Sequence, residues 1–230
     1  MRLRHPRILS FLELKQDKRG NETLFYVVTE HVKPLEAVID KLATSRKLLG
    51  LFEVFSALNF LHKNDISHNN LKLSSIFVSY SEEGVGFKLG AVEHAQKASS
   101  MSRQELKEMD ANIVPPEEKG EGTFVNKTVH VRDVWAVSLL LKEMFSEEEM
   151  SSKSFGDSLR EMLSICASLN PSQRPNVASL LKHKLFASSS FIQTAEFLSN
   201  LTTMEENLKS KFFKELINKL PLSFILFAFL

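Results

Sequence analysis

The chain alternates between short apolar runs of strand length and longer segments in which apolar residues recur every three or four positions. Ile8 to Leu14 and Leu24 to Thr29 are two short runs separated by the polar stretch Lys15-Gln-Asp-Lys-Arg-Gly-Asn21, which predicts a β-hairpin around a polar turn. Two strands alone are marginal and need further packing. After Pro34 the period changes. Leu48, Leu51, Phe52, Phe55, Leu58 and Leu61 share one face of an amphipathic helix that ends near Lys63-Asn64. Ile76-Phe-Val78 and Phe87-Lys-Leu89 flank Ser81-Glu-Glu-Gly84 and predict a second hairpin. Residues 94–130 are polar with little periodicity, whereas Asp133 to Phe145 is apolar on most sides, the pattern of a buried helix. Further helices fit residues 155–168 and 176–186.

Beyond Phe186 the character shifts, with Ser188-Ser-Ser190 as a joint and two more amphipathic segments after it. Thr203-Met-Glu-Glu206 has capping-box spacing, and Leu208, Phe212, Leu216 and Leu220 then fall on one helix face. The final stretch, Leu220 to Leu230, is apolar and uncharged, yet shorter than the roughly 20 residues a membrane-spanning helix needs. It reads as a helix face cut from its partner, as a tail-like anchor or as an aberrant end; no transmembrane span is expected.

Composition narrows the field. A chain of 230 residues that is 43% hydrophobic can bury one main core plus a short appended element. A formal charge of +1 shows no basic excess, which argues against nucleic acid as a partner. The single cysteine, Cys166, cannot form an internal disulfide, and Met1-Arg-Leu-Arg-His-Pro6 has no apolar core of the signal-peptide kind. Both features point to the cytoplasm, where the glycosylation-type triplets at Asn21, Asn126 and Asn200 would stay unmodified. The histidines are scattered without paired His/Cys spacing, so no metal site is expected. Ser146-Glu-Glu-Glu149 reads as the solvated end of a helix and its loop.

The candidate chemistry lies at His68-Asn69-Asn70-Leu71-Lys72-Leu73-Ser74-Ser75. This stretch has the outline of the loop His-Arg-Asp-Leu-x-x-x-Asn, in which the Asp accepts the substrate hydroxyl proton and the final Asn holds magnesium. Those two places hold Asn70 and Ser75 here. An amide has no oxygen basic enough to take a proton near neutral pH, and a hydroxyl is a poor substitute for an amide carbonyl at Mg²⁺. Other landmarks follow in order: His5-Pro-Arg-Ile8, Val27-Val-Thr-Glu30-His-Val32, Val114-Pro-Pro-Glu117, Asp133-Val-Trp135 and Pro171-Ser-Gln-Arg174-Pro175.

Together these segments resemble the eukaryotic protein-kinase fold from its late N-lobe to the end of its C-lobe, over residues 5 to about 186. More closely, the His68 loop, Phe87-Lys-Leu-Gly90, Val114-Pro-Pro-Glu-Glu118 and the trailing helices resemble the Scyl (Scy-one-like) pseudokinases. The resemblance implies a mainly α fold with a small β part. An incomplete kinase-like domain would occupy residues 1–187, and a helical extension over 188–230 would open HEAT-type repeats. It implies that Glu117 pairs with Arg174 and that Asp133 braces the loop backbone. Ala91 falls where the metal-binding Asp of Asp-Phe-Gly would stand, with Glu93 nearby as a solvated loop acid or, less simply, a substitute. His68 is expected to hold backbone rather than transfer protons. Glu30 and Lys72 are the remaining candidates for touching a nucleotide, but the chain starts near His5 without the glycine-rich loop, the strand Lys and the αC Glu, so no cofactor is expected. The implied function is a catalytically inactive scaffold or adaptor in membrane traffic or cytoskeletal organisation. Its partners would be proteins of the ezrin or trafficking-coat kind, with peripheral placement on Golgi membranes or at the cell cortex. A residual ATP-binding kinase of low activity and a truncated product without function stay open beside it.

Overall fold

The computed structural model describes residues 4–20, 22–81, 84–98, 111–119 and 129–219. The turn residues Glu82-Glu83, the triplet residue Asn126 and the tail Leu220 to Leu230 lie outside the described residues. The chain divides into two compact units, Met1–Leu185 and Phe186–Leu230.

In the first unit, β1 (Phe11–Arg19) and β2 (Glu22–Thr29) form an antiparallel hairpin with Leu14 opposite Val27 and Gln16 opposite Phe25. The strands run further than the apolar pattern indicated, because Lys15 to Arg19 join the ladder. The turn tightens around Gly20, whose φ of 64° is the left-handed geometry a two-residue hairpin connection demands. Polar residues on a solvated strand cost nothing in burial, so only the turn chemistry marked the true end. A second sheet has the order β3-β5-β6, from Val32–Pro34, Ile76–Ser81 and Gly84–Leu89. The chain before β1 lies along β6: Leu9 N–H donates to Leu89 O and Leu89 N–H to Arg7 O, both at 2.8 Å.

Helix α1 (Thr44–Lys63) packs against β6 and is buried on most of its circumference, not on one stripe alone. Leu51, Val54, Phe55 and Leu58 are fully buried, each contributing roughly 1.5–3 kcal/mol by leaving water. The polar position that would have marked a solvated face, Glu53, is buried too. It survives there because it accepts from Phe87 N–H (2.7 Å) and Arg46 (3.1 Å) and pairs with Arg7 (3.1 Å). Gly50 lets the helix approach the sheet, since a Cβ there would fall 2.3 Å from the Phe87 ring.

The short strands β4 (Ile66–Ser67) and β7 (Gln96–Lys97) pair antiparallel beside the loop that begins at His68. Helix α2 (Val129–Met144) supplies Val137, Leu140 and Leu141 to the core, all fully buried. In the acidic run after it Ser146, Glu147 and Glu148 are exposed as expected, but the run opens a helix and Glu149 is engaged. Ser146 caps a new helix, α3 (Glu147–Ser151), in a capping box with Glu149. Glu149 also accepts from Thr44 Oγ1 (2.6 Å) and Lys47 Nζ (3.1 Å), tying α3 to the start of α1. Helix α4 (Phe155–Cys166) buries Leu159, Met162 and Cys166. The single helix expected over 176–186 is instead two turns, α5 (Val177–Leu180) and α6 (Lys184–Ala187). The break falls at His183, whose ring Nδ1 accepts from Leu185 N–H (3.2 Å) and starts the second turn.

The second unit holds α7 (Ser190–Ser199) and α8 (Glu206–Lys219). The expected capping box at Thr203 does not form. Thr203 ends a 3₁₀ turn and its hydroxyl donates to Asn200 O (2.9 Å), so the helix starts later, at Glu206. Phe197 of α7 and Phe212 of α8 stack with centroids 3.5 Å apart.

Candidate functional site

The loop from His68 to Ser75 runs between β4 and β5 under the N-terminal part of α2. Its anchor is Asp133, fully buried, whose Oδ1 accepts from Asn69 N–H (2.8 Å) and whose Oδ2 accepts from His68 N–H (2.8 Å) and lies 2.8 Å from His62 Nε2. Burial alone would push this carboxyl up; the His62 hydrogen bond and charge, His68 and the backbone donor outweigh it and hold the pKa below the ordinary aspartate value. Asn69 sits at φ 62°, a left-handed position that Asn tolerates better than most residues. Its amide donates to Ser67 O (3.2 Å) and His94 O (2.9 Å), which fixes that turn.

His68 is fully buried. Its Nδ1 lies 3.3 Å from the N–H of Asn70 and its Nε2 2.8 Å from Gly90 O, a pairing that selects the neutral tautomer with the proton on Nε2. Burial lowers its pKa, against the pull of Asp133. With both ring nitrogens engaged on backbone, His68 has no free position for proton transfer.

Asn70, expected at the place of the proton acceptor, donates through Nδ2 to Glu93 Oε1 at 2.6 Å. Glu93 is therefore not merely a solvated loop acid. Its Oε1 accepts from the Asn70 amide while the residue stays exposed. Ala91, expected at the place of the metal carboxylate, adopts φ 51° and carries no oxygen in its side chain. Ser75 is fully buried, and its hydroxyl donates to Lys72 O (2.6 Å) while accepting Lys72 N–H (3.0 Å), a closed local turn. The two positions expected to hold a metal do not fit a magnesium ion: Ala91 has no side-chain oxygen, and the Ser75 hydroxyl is closed on its own turn. Among the described residues, no group of three or more His, Cys, Asp or Glu is placed to hold a metal ion.

The remaining candidates are held by the protein itself. Glu30 Oε1 accepts from Ser10 N–H (2.8 Å) and Lys88 Nζ (3.1 Å), and these donors lower its pKa against the upward push of burial. Lys72 is half-buried on the loop. Arg174 forks onto Glu117 with both amino groups, at 2.6 and 2.8 Å, donates through Nε to Ser168 O (2.9 Å), and stacks 5.0 Å from the Trp135 ring centre. The sequence reading missed three contributors: His62, Asn69 and the buried Arg132, whose Nε donates to Glu118 Oε2 (2.8 Å). No periodicity marks such residues, because their partners are distant in sequence. Only the Asn-Asn pair hinted at a left-handed turn.

The protein kinase domain family matches residues 1–156. The chain belongs to that family. Its similarities place it in the Scyl-like branch. It is 31% identical over 94% of its length to the mouse "Protein-associating with the carboxyl-terminal domain of ezrin", 30% of which is matched. It is 23% identical over 99% of its length to the Dictyostelium discoideum "Probable inactive serine/threonine-protein kinase scy1", 29% of which is matched. The chain thus spans less than a third of the length of these relatives. Among solved structures, the Rad53 kinase domain superposes with a TM-score of 0.57 at 18% identity, covering 80% of this chain and 71% of that one. That likeness concerns the fold alone. No helix among the described residues is long and apolar enough to cross a membrane.

Proposed function

We propose that the chain is a catalytically inactive kinase-fold module that works by binding other proteins. The observation that carries this reading is the Asn70 to Glu93 hydrogen bond at 2.6 Å. An amide stands where a proton acceptor is expected, and it donates to one oxygen of the Glu93 carboxylate. The closed Ser75 turn supports the same reading, as does the name of the Dictyostelium relative. Meanwhile Asp133, Glu117 and Arg174 are buried or forked in contacts that brace the fold, as expected of a domain kept for its surface.

The mouse relative's name supports a partner of the ezrin carboxyl-terminal kind. Trafficking-coat partners, and a place on Golgi membranes or at the cell cortex, belong to the same proposal and rest on family resemblance. We also take residues 1–187 as the inactive domain and 188–230 as the opening of a HEAT-type array, supported by the stacked pair α7 and α8.

Two measurements test this. A thermal-shift titration with ATP and Mg²⁺, run beside a phosphotransfer assay, should give neither saturable stabilisation nor turnover; turnover that Lys72→Ala abolishes would overturn inactivity. Titration of the chain with the ezrin carboxyl-terminal domain should saturate, and a flat response would remove that partner while leaving inactivity standing.

A further inference from the structure

The hairpin β1-β2 forms a sheet of its own, so the outer edge of β1 carries no strand among the described residues. Its principal packing is with itself. Along β1 the residues Glu13, Lys15, Asp17 and Arg19 alternate in charge, and the contacts Glu13 to Lys15 (3.4 Å) and Asp17 to Arg19 (3.0 Å) put all four on one face. The other face presents Leu14 with Phe25 and Val27 of β2, each more than half exposed. An exposed strand edge beside an uncovered apolar face is a template for strand addition.

The charge order selects what can be added. When a second copy of β1 is laid antiparallel with Gln16 opposite Gln16, Glu13 faces the other copy's Arg19 and Lys15 faces the other copy's Asp17. The dyad repeats both pairs, so every charge on that face meets its opposite. Slipping the register by two residues brings Lys15 onto Lys15 or Asp17 onto Asp17, and a parallel in-register arrangement sets like against like throughout. We propose that β1 pairs with β1 of a second copy of this chain, in this single antiparallel register, to form a continuous four-stranded sheet β2-β1-β1-β2. The ion pairs within the strand are solvent-exposed and contribute little, so exchanging them for cross-strand pairs costs little. Leu14 then faces Lys18, whose aliphatic stem covers it. The apolar faces of both copies merge into one. A single-ladder interface is small, so the dimer is a weak, concentration-dependent one.

Light scattering or sedimentation of the full chain across a concentration series tests this. The wild type should shift from monomer toward dimer, and added salt should weaken the shift. The double variants E13K/D17K and K15E/R19E make the four positions all basic or all acidic on an exposed strand. Each alone should stay monomeric, and their equimolar mixture should form the heterodimer. Gln16→Cys should cross-link on oxidation, because facing Cα atoms of an antiparallel pair lie about 4.5–5.5 Å apart, within reach of a disulfide. Lys18→Cys should not, since the two copies are then about 14 Å apart along the strand. The native Cys166 is fully buried and does not compete. A wild type that is monomeric up to about 1 mM, a mixture no more associated than its components, or equal cross-linking at 16 and 18 would each overturn the proposal. The first two outcomes would mean that the charges only guard the edge.

Discussion

Replacing Asp133 with asparagine keeps the shape of the side chain and removes one acceptor and the charge from a buried site with three donors, His68 N–H, Asn69 N–H and His62 Nε2. The new amide has one oxygen. Whichever way it is turned, its NH₂ group meets a backbone N–H, of Asn69 or of His68, that loses its acceptor; His62 can adapt by changing tautomer, but a backbone amide cannot. A buried donor left without a partner costs about 1–3 kcal/mol. The remaining contacts fall from charge-assisted to neutral strength, a loss of roughly another 1 kcal/mol. The expected destabilisation is about 3 kcal/mol, or about 6–12 °C in Tm for a chain of this size. Trp135 is the only tryptophan and lies two residues from the mutation, so its fluorescence in a urea titration reports the unit that contains the loop. The effect is also pH-dependent. The folded Asp133 has a depressed pKa, so its contribution is full above about pH 4 and is lost as pH falls through the folded value. The gap between wild type and variant should therefore narrow in acid. A loss below about 1 kcal/mol at neutral pH would refute the bracing role and place the loop's support elsewhere.

Arg174→Lys keeps the charge but loses the fork onto Glu117 and the stack on Trp135; it should cost about 2–3 kcal/mol in the same urea titration, and a neutral result would show the fork to be dispensable. Gly50→Ala would push a methyl group into the fully buried Phe87 ring, and the overpacking cost of about 1–3 kcal/mol should exceed the gain in helix propensity, giving a lower Tm. Burial lowers the pKa of His5, His68, His130 and His183, so the fold binds fewer protons than the unfolded chain below the ordinary histidine value. Stability should be full above about pH 6.5 and fall as pH drops, and a urea midpoint that is flat or rising from about pH 7.5 to about pH 5.5 would contradict this.

Much of the architecture was legible along the chain because it is local. Leu48 to Leu61 at helical spacing marked α1, the apolar run from Asp133 marked α2, and paired short runs marked both hairpins. Local signals misplaced what depends on neighbours. Glu53, a charged residue on α1, is buried because Arg7 and Phe87 N–H from elsewhere in the chain, with Arg46 of the same helix, are brought to it. Glu149 looked solvated until Thr44 and Lys47 were brought to it. Thr203 had the spacing of a cap, but a hydroxyl can serve a preceding carbonyl equally well, and here it does.

The sequence by itself determined the side-chain chemistry available at the loop. Asn70, Ser75 and Ala91 are chemical identities, and no folding can give an amide the basicity of a carboxylate or a methyl group an oxygen. The tertiary structure alone decided what those positions do instead. It bonded Asn70 to Glu93 across the loop and closed Ser75 on its own turn. It also gathered His62, His68 and Asn69 around Asp133 from positions more than sixty residues away. Side-chain chemistry is a property of one residue, whereas acceptor and donor counts in a buried site belong to the whole chain.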